Sequence, residues 1–521
     1  MKKIILLFIA TAVSTYLFTQ TWTNDYTPGN IDLNGQLTGG NEIMQIVTHK
    51  AKLFAGNSYW QENDTINNPR SCEIIRKDNP NSAWQVDKDF TTANLRIGAM
   101  KSFIFNTDFT GATITPDTLL ITIPNDNTGQ VNCWVRNDNI NSWNFNTLAT
   151  IPTTVNCRSL GFHKDATNNI CYVFAGLLDY GIFRGSYNSS LPTKIQWTLT
   201  PEFVTPLNKR VMGFTVCNNI LYAATSDGGI GHIYKRSDAT ASWSLVKTTT
   251  GGVQAEDIRG LSAIPNPNGA GEVLWYSWNK KASRLDPNNN YTETIEYSYT
   301  DSLTSQLGIQ VQYTIAAYND NIPVFNPTNA NEDIRLIGIE LKYNASALLN
   351  DPRPNWNGWG IDGQYYERHQ SGSYIYYVRK YILNNSPIVT DTLIATRTIC
   401  VSPFENDNGK VLYAGGMDCN SIPMSRQAWI YTADFNGTTT TIKTFSENNT
   451  LLVFPNPATS ELKILLPSSN NFIAEIINSF GETVLKFQNQ TKIDVSQIAR
   501  GIYFLKVNDN KNIYTQKIII Q

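Results

Sequence analysis

Leu53-Phe-Ala-Gly56, Leu120-Ile-Thr-Ile123, Val173-Phe-Ala-Gly176, Leu221-Tyr-Ala-Ala224, Leu274-Trp-Tyr-Ser277, Leu336-Ile-Gly-Ile339 and Leu412-Tyr-Ala-Gly415 are seven copies of one short apolar run. They recur about every 50 residues, a spacing that signals a repeat architecture. Each run is too short for a buried helix and rich in the residues that favour strands. Large side chains followed by small ones suit a strand wedged between neighbouring sheets.

A four-strand unit builds outward from each run. The next strand carries an aromatic or aliphatic pair and often an Arg, as in Ile74-Ile-Arg76, Trp134-Val-Arg136, Ile182-Phe-Arg184, Tyr234-Lys-Arg236 and Tyr365-Tyr-Glu-Arg368. The fourth begins with an aromatic: Trp84, Trp143, Trp197, Trp243, Tyr291 or Tyr374. The first strand opens with Arg in five copies, at Arg96, Arg158, Arg210, Arg259 and Arg397, with a small residue three positions later. First strands crowd the axis of a closed ring, where small side chains belong. The predicted fold is all-β: a seven-bladed β-propeller followed by a small C-terminal β-sandwich. A linear array of sandwiches is the alternative, and no signal says which strand closes the ring.

Two copies share the spacing Arg136-x-Asp138-x-x-x-Ser142-Trp143 and Arg236-x-Asp238-x-x-x-Ser242-Trp243. They resemble degenerate forms of the Asp box of sialidase-type propellers, with Ile140 and Thr240 where the box has Gly. The resemblance implies a structural role, with Asp tying the turn and Trp packing between blades.

The two ends of the chain speak about destination. Met1-Lys-Lys3 precedes an apolar run from Ile4 to Phe18, which reads as a secretory signal peptide cleaved near Gln20 rather than a membrane span. At the other end stand Leu451-Leu-Val-Phe-Pro-Asn-Pro457, Gly481-Glu-Thr-Val484, Gly501-Ile-Tyr-Phe504 and Lys517-Ile-Ile-Ile-Gln521, set in alternating strands broken by turn residues. This segment resembles the type A C-terminal sorting domain of type IX secretion substrates. The resemblance implies recognition by the type IX translocon, then release or attachment at the outer surface. The expected domains are a signal peptide (1–20), a linker (21–39), the propeller (40–445) and the sorting domain (446–521), with no transmembrane segment in the mature chain.

Composition excludes some functions. Formal net charge is −2 with 41 basic residues and no basic block, so nucleic acid is not an expected partner. Four His and seven Cys occur without a CxxC or HExxH pattern, so neither a metal nor a cofactor is expected. Glu405-Asn-Asp-Asn-Gly409 lacks the full spacing of a calcium loop and reads as a hairpin turn.

The five Arg residues should meet at one mouth of the axial channel, on the face that carries the second-to-third loops. Such a ring favours a carboxylate or sulfate, as in an acidic glycan. The competing reading is that each Arg only bonds neighbouring carbonyls or acids such as Glu256 and Asp257. Trp60, Trp356 and Trp359 lie in loops of the same face and could stack on sugars or cap gaps between blades. The favoured function is binding of an extracellular glycan. A glycoside hydrolase or polysaccharide lyase acting on an acidic glycan, and an adhesion module that binds a surface protein, are the alternatives. No complete catalytic set is legible: alternation points Tyr365 and Tyr366 to opposite faces, and His163 and His369 are candidate bases only. An oxidising destination permits disulfides. The blade alignment suggests Cys133–Cys157, Cys171–Cys217 and Cys72–Cys419, with Cys400 left as a free buried thiol.

Overall fold

The computed structural model describes residues 22–59, 71–91, 93–151, 156–204, 209–227, 229–251, 257–299, 311–316, 318, 321–325, 332–343, 363–383, 395–406, 409–418, 427–434, 452–454, 458–465, 472–478, 483–508 and 513–520. The expected signal peptide, Trp60, Trp356, Trp359, Glu256 and Cys419 lie outside the described residues.

The protein is all-β. Five four-stranded antiparallel sheets follow one another along the chain. Sheet one comprises Glu42–His49, Lys52–Ser58, Glu73–Lys77 and Gln85–Asp89. Sheet two comprises Met100–Thr107, Thr113–Thr122, Gln130–Asn137 and Ser142–Thr150. Sheet three comprises Cys157–Lys164, Cys171–Leu177, Gly181–Tyr187 and Ile195–Trp197. Sheet four comprises Arg210–Cys217, Ile220–Ser226, Ile230–Ser237 and Ser242–Thr250, and sheet five Arg259–Pro265, Glu272–Trp278, Lys281–Asp286 and Thr292–Ser298. All five have a simple up-and-down order.

The next strands form one nine-stranded sheet, which divides into two halves of the same kind. In the first half, Val311–Ala316 and Ile322–Phe325 share the innermost place against Glu332–Tyr343, followed by Gln364–Ser371 and Tyr374–Tyr381. The second half runs Ala395–Asn406, Gly409–Met417 and Ala428–Asp434. A single pair, Glu340 with Ala395, joins the halves. The outermost strand of the second half is Trp22–Tyr26, antiparallel to Ala428–Asp434. Residues 21–39, expected as a linker, therefore contain a strand. The apolar ends of Trp-Thr-Asn-Asp-Tyr explain it: Trp22 and Tyr26 are both buried, with exposed or half-buried residues between them.

Each hydrophobic core lies between successive sheets. Phe54, Ile74, Ile97 and Leu120 pack sheet one on sheet two. Similar clusters join two to three, three to four, four to five, five to the first half of the large sheet, and one half to the other. A further cluster brings Tyr413 and Ile430 of the last half against Ile43, Ile46 and Trp84 of sheet one.

The small residues of the repeated run have a steric cause. A Cβ on Gly176 would sit 2.4 Å from Val211 Cβ, and one on Gly56 would sit 2.7 Å from Ile97. Both positions need glycine because the segment that leads into or opens the next sheet lies directly over them. Three residues after Arg158, Gly161 faces Phe214 of sheet four in the same way, at 2.6 Å.

The C-terminal region holds a three-stranded sheet (Leu452–Phe454, Glu461–Leu465, Lys492–Asp494) and a four-stranded one (Ile473–Ile477, Thr483–Gln488, Gly501–Asn508, Ile513–Ile520). One core, including Leu462, Ile464, Ile476, Leu505 and Ile518, lies between them.

The expected disulfides are corrected. Cys72, Cys133, Cys157, Cys171, Cys217 and Cys400 are all free and buried. Cys171 and Cys217 belong to different inter-sheet cores, which rules out their bond. Cys133 and Cys157 share one core but behave as small apolar side chains. Burial pushes both thiols up to about 12. Cys400 is the free buried thiol expected of it.

Candidate functional site

The first strands begin at one end of the sheets, and their opening residues meet there. Arg210 and Arg259 open their strands, Arg158 and Arg397 stand near the start of theirs, and Arg96 ends the short strand Asn94–Arg96 just before sheet two. Glu42 opens the first strand of sheet one, in the place where other sheets carry Arg. The repeat makes this equivalence visible: Glu42-Ile43 corresponds to Arg96-Ile97 and Arg210-Val211. Ile43, Ile97 and Val211 each cover the glycine of the preceding sheet's second strand.

Four of these arginines converge on Tyr318, which lies between the two short inner strands of the large sheet's first half. Arg96 Nη2 donates to Tyr318 Oη at 3.3 Å and Arg158 Nη1 does so at 3.5 Å. The guanidinium carbons of Arg397 and Arg259 lie 4.0 and 4.5 Å from the centre of the Tyr318 ring. Tyr318 is buried, as are Arg96, Arg259 and Arg397. Arg158 is half-buried, and the Arg210 side chain keeps 30% of its exposure.

Three carboxylates answer part of this charge. Glu42 takes Arg96 in two contacts, at 2.8 Å from Nη2 and 2.5 Å from Nε. Glu340 pairs with Arg397, whose Nε also lies 3.7 Å from Glu42. Asp257 sits between Arg259 and Arg210, at 3.5 and 3.8 Å. Burial raises the carboxyls of Asp257 and Glu340 even with arginines beside them.

Electrostatics at Tyr318 are unusual. Burial raises its phenol, but Arg96, Arg158, Arg397 and Arg259 outweigh that and bring it down to about 7. Burial and the neighbouring Arg96 press the Arg158 guanidinium down to about 9, still charged at neutral pH.

The structure thus brings together Arg96, Arg158, Arg259 and Arg397 around one point, with Arg210 beside Arg259. Asp257 was legible as a neighbour of these arginines. Tyr318, Glu340 and Glu42 were not singled out by the sequence. Only Glu42 had a usable signal, its place in the repeat.

His163 and His369 stand elsewhere. His163 is five residues further along its strand than Arg158, roughly 17 Å away at strand rise, and binds Asp238 at 2.9 Å. His369 lies between Glu332 and Glu367, at 2.9 and 3.2 Å, and stacks on Tyr376. Tyr365 and Tyr366 enter different cores, as alternation requires. Among the described residues, no three His, Cys, Asp or Glu side chains gather to hold a metal ion.

The Asp-box residues act between sheets as well as on their own strand ends, where Asp138 takes Arg136 and Asp238 takes Arg236. Asp138 binds His49 and Lys50 of sheet one, and Asp238 binds His163 and the Ala166 amide of sheet three. The paired Trp residues do the same. Trp143 donates to Asp87 at 2.8 Å and Trp243 to Glu202 at 3.0 Å, each an acid of the preceding unit.

Comparison with known families identifies the end of the chain. Residues 452–521 match the secretion system C-terminal sorting domain family. The chain carries a type IX secretion sorting domain. The protein is therefore exported by the type IX machinery, to the medium or to the outer-membrane surface. Among the described residues, no helix is long and apolar enough to cross a membrane.

No curated protein sequence matches the chain. Similar solved structures include Sqt1 of Saccharomyces cerevisiae, at 11% identity and a TM-score of 0.40, covering 79% of this chain and 98% of that one. An ancestral GH74 enzyme is similar at 10% identity and a TM-score of 0.44, over 81% of this chain and 51% of its own. A protein from Lactobacillus plantarum is similar at 7% identity and a TM-score of 0.39, over 75% and 98%.

Proposed function

We propose that the sheets form a seven-bladed β-propeller closed by residues 22–26, followed by a small C-terminal β-sandwich. We further propose that the exported protein binds an anionic extracellular glycan at the mouth where Arg96, Arg158, Arg210, Arg259 and Arg397 meet. One observation carries the ligand reading: four guanidiniums gather around Tyr318, with Arg210 beside Arg259, against three carboxylates. A site with surplus buried positive charge favours a carboxylate or sulfate. Arg158 and Arg210 keep exposure, so the ligand approaches from their side.

The test is calorimetric titration with a galacturonate oligomer and with the neutral galactose oligomer of equal length. Binding of the acidic oligomer alone is expected. Arg158→Gln should weaken it by more than tenfold, as loss of one partner in a buried charge contact costs about 2–5 kcal/mol. Equal binding of both sugars, or of neither, overturns the reading.

A second reading is catalytic, and Tyr318 favours it. A phenol brought down to about 7 among arginines is suited to accept a proton from a substrate held by its carboxylate. Unsaturated or reducing-end products released by wild type and not by Tyr318→Phe would establish a lyase or hydrolase.

A further inference from the structure

The charge count at the mouth leaves positive charge over. Even with Glu42, Asp257 and Glu340 all ionised, the five guanidiniums exceed the carboxylates by two. Arg158 stands out among them. Among the described residues it makes no ion pair; its hydrogen bond goes to Tyr318 Oη at 3.5 Å, and its buried Nε has no partner. A half-buried guanidinium whose Nε lacks a partner, facing a neutral phenol, would be poorly compensated, which is costly.

We propose that Tyr318 is held as a tyrosinate, the resident counter-anion of Arg158. A carboxylate or sulfate of the bound glycan takes its place, so each anion captured brings one proton onto Tyr318. This rests on the reading of the mouth as an anion site and adds the identity of the group that occupies it first. The exchange balances. The phenolate oxygen gains a proton from solvent, the ligand anion takes over the contact with Arg158, and the net charge of the site is unchanged.

Every charged group facing Tyr318 bears on this equilibrium. Arg96, Arg158, Arg259 and Arg397 stabilise the phenolate, while Glu42 and Glu340 stand behind Arg96 and Arg397, and Asp257 behind Arg259. Met44 and Ile315 pack against Tyr318. A phenol so placed ionises near pH 7, and exchange with an anion becomes pH-dependent by linkage.

The experiment is a pH titration of the near-ultraviolet tyrosinate absorbance of the full chain. One ionisation centred at about 7 is expected in wild type and none there in Tyr318→Phe. Arg158→Gln should move the midpoint up, and Arg158→Lys, which keeps the charge, should hold it below the ordinary phenol range. Saturating inorganic sulfate should raise the wild-type midpoint. Calorimetry in buffers of different ionisation heat should then show uptake approaching about one proton per anion above the midpoint.

A first ionisation only near the ordinary value of about 10, or a neutral-pH step that survives Tyr318→Phe, overturns the proposal. So does a step that ignores bound sulfate. Calorimetry keeps two failures apart. Absent heat with sulfate or the galacturonate oligomer, while the step stands, removes the anion reading and the exchange with it. Heat without a step removes the tyrosinate alone.

Discussion

Asp25, on the first described strand of the chain, accepts the indole N–H of Trp84 at 2.6 Å. The same carboxylate takes the buried ammonium of Lys77 at 3.0 Å. One side chain thus ties the outermost strand of the second half to the third strand of sheet one and to the residue that precedes its fourth. Asp25→Ala leaves both donors without that acceptor. A loss of about 2 kcal/mol is expected, read as a lower urea midpoint. An unchanged midpoint would show that the bond does not hold the ends together.

The same device recurs between sheets three and four. Glu202 accepts from Arg236 Nε at 2.6 Å, from Trp243 at 3.0 Å, and pairs with Arg184 at 2.8 Å. The Arg236 side chain is fully buried, and the Arg has Asp165 and Asp238 as well. Glu202→Gln should cost about 3–5 kcal/mol, the range for breaking a buried ion pair. Asp238→Asn should cost less, because that carboxylate is more exposed. Thermal melting of the two variants side by side checks the order.

Tyr318 predicts a pH dependence of stability. Its phenol ionises near 7 when folded and near 10 when unfolded. Between those values the unfolded chain holds a proton that the folded chain lacks, so stability rises with pH. The slope is at most about 1.4 kcal/mol per pH unit. The contribution is lost as pH falls through 7. The stability difference between wild type and Tyr318→Phe should therefore widen from pH ~7 to ~9, measured by urea unfolding at each pH. A difference that is flat across this range contradicts the ionisation.

Thiol chemistry follows from burial. Cys133 and Cys157 are pushed up to about 12, and Cys400 to about 11. The thiolate is the reactive form. A thiol reagent should label none of Cys72, Cys133, Cys157, Cys171, Cys217 and Cys400 in the folded protein and all six after denaturation without reductant. Peptides from denatured protein that stay unlabelled at Cys133 and Cys157 would restore the disulfide.

Export depends on residues 452–521. Removing them should leave the chain in the periplasm of its host while the preceding sheets stay folded. Fractionation of the truncated chain is the measurement, and undiminished accumulation outside the cell would contradict the assignment.

Much of this architecture was legible because period and packing coincide. Leu53-Phe-Ala-Gly56 and Val173-Phe-Ala-Gly176 repeat because each ends under the next sheet, against Ile97 and Val211. The arginines were legible for the same reason, since they stand at or near the start of equivalent units. What escaped lies where the repeat is broken. Tyr318 interrupts an inner strand, so no periodic pattern marks it. Glu42 keeps the position but changes the charge. Trp22–Tyr26 pairs with residues some 400 positions away, a relation with no local sign. The cysteines misled because burial in apolar cores, not pairing, accounts for them.

The placement of Trp22–Tyr26 bears on how copies of this chain meet. Without those five residues, the ladder of Ala428–Asp434 would present open amide and carbonyl groups along one side. A chain begun after Tyr26 would leave that edge open to strands of other molecules. Residues 22–26 thus cover an edge that would otherwise be free to pair.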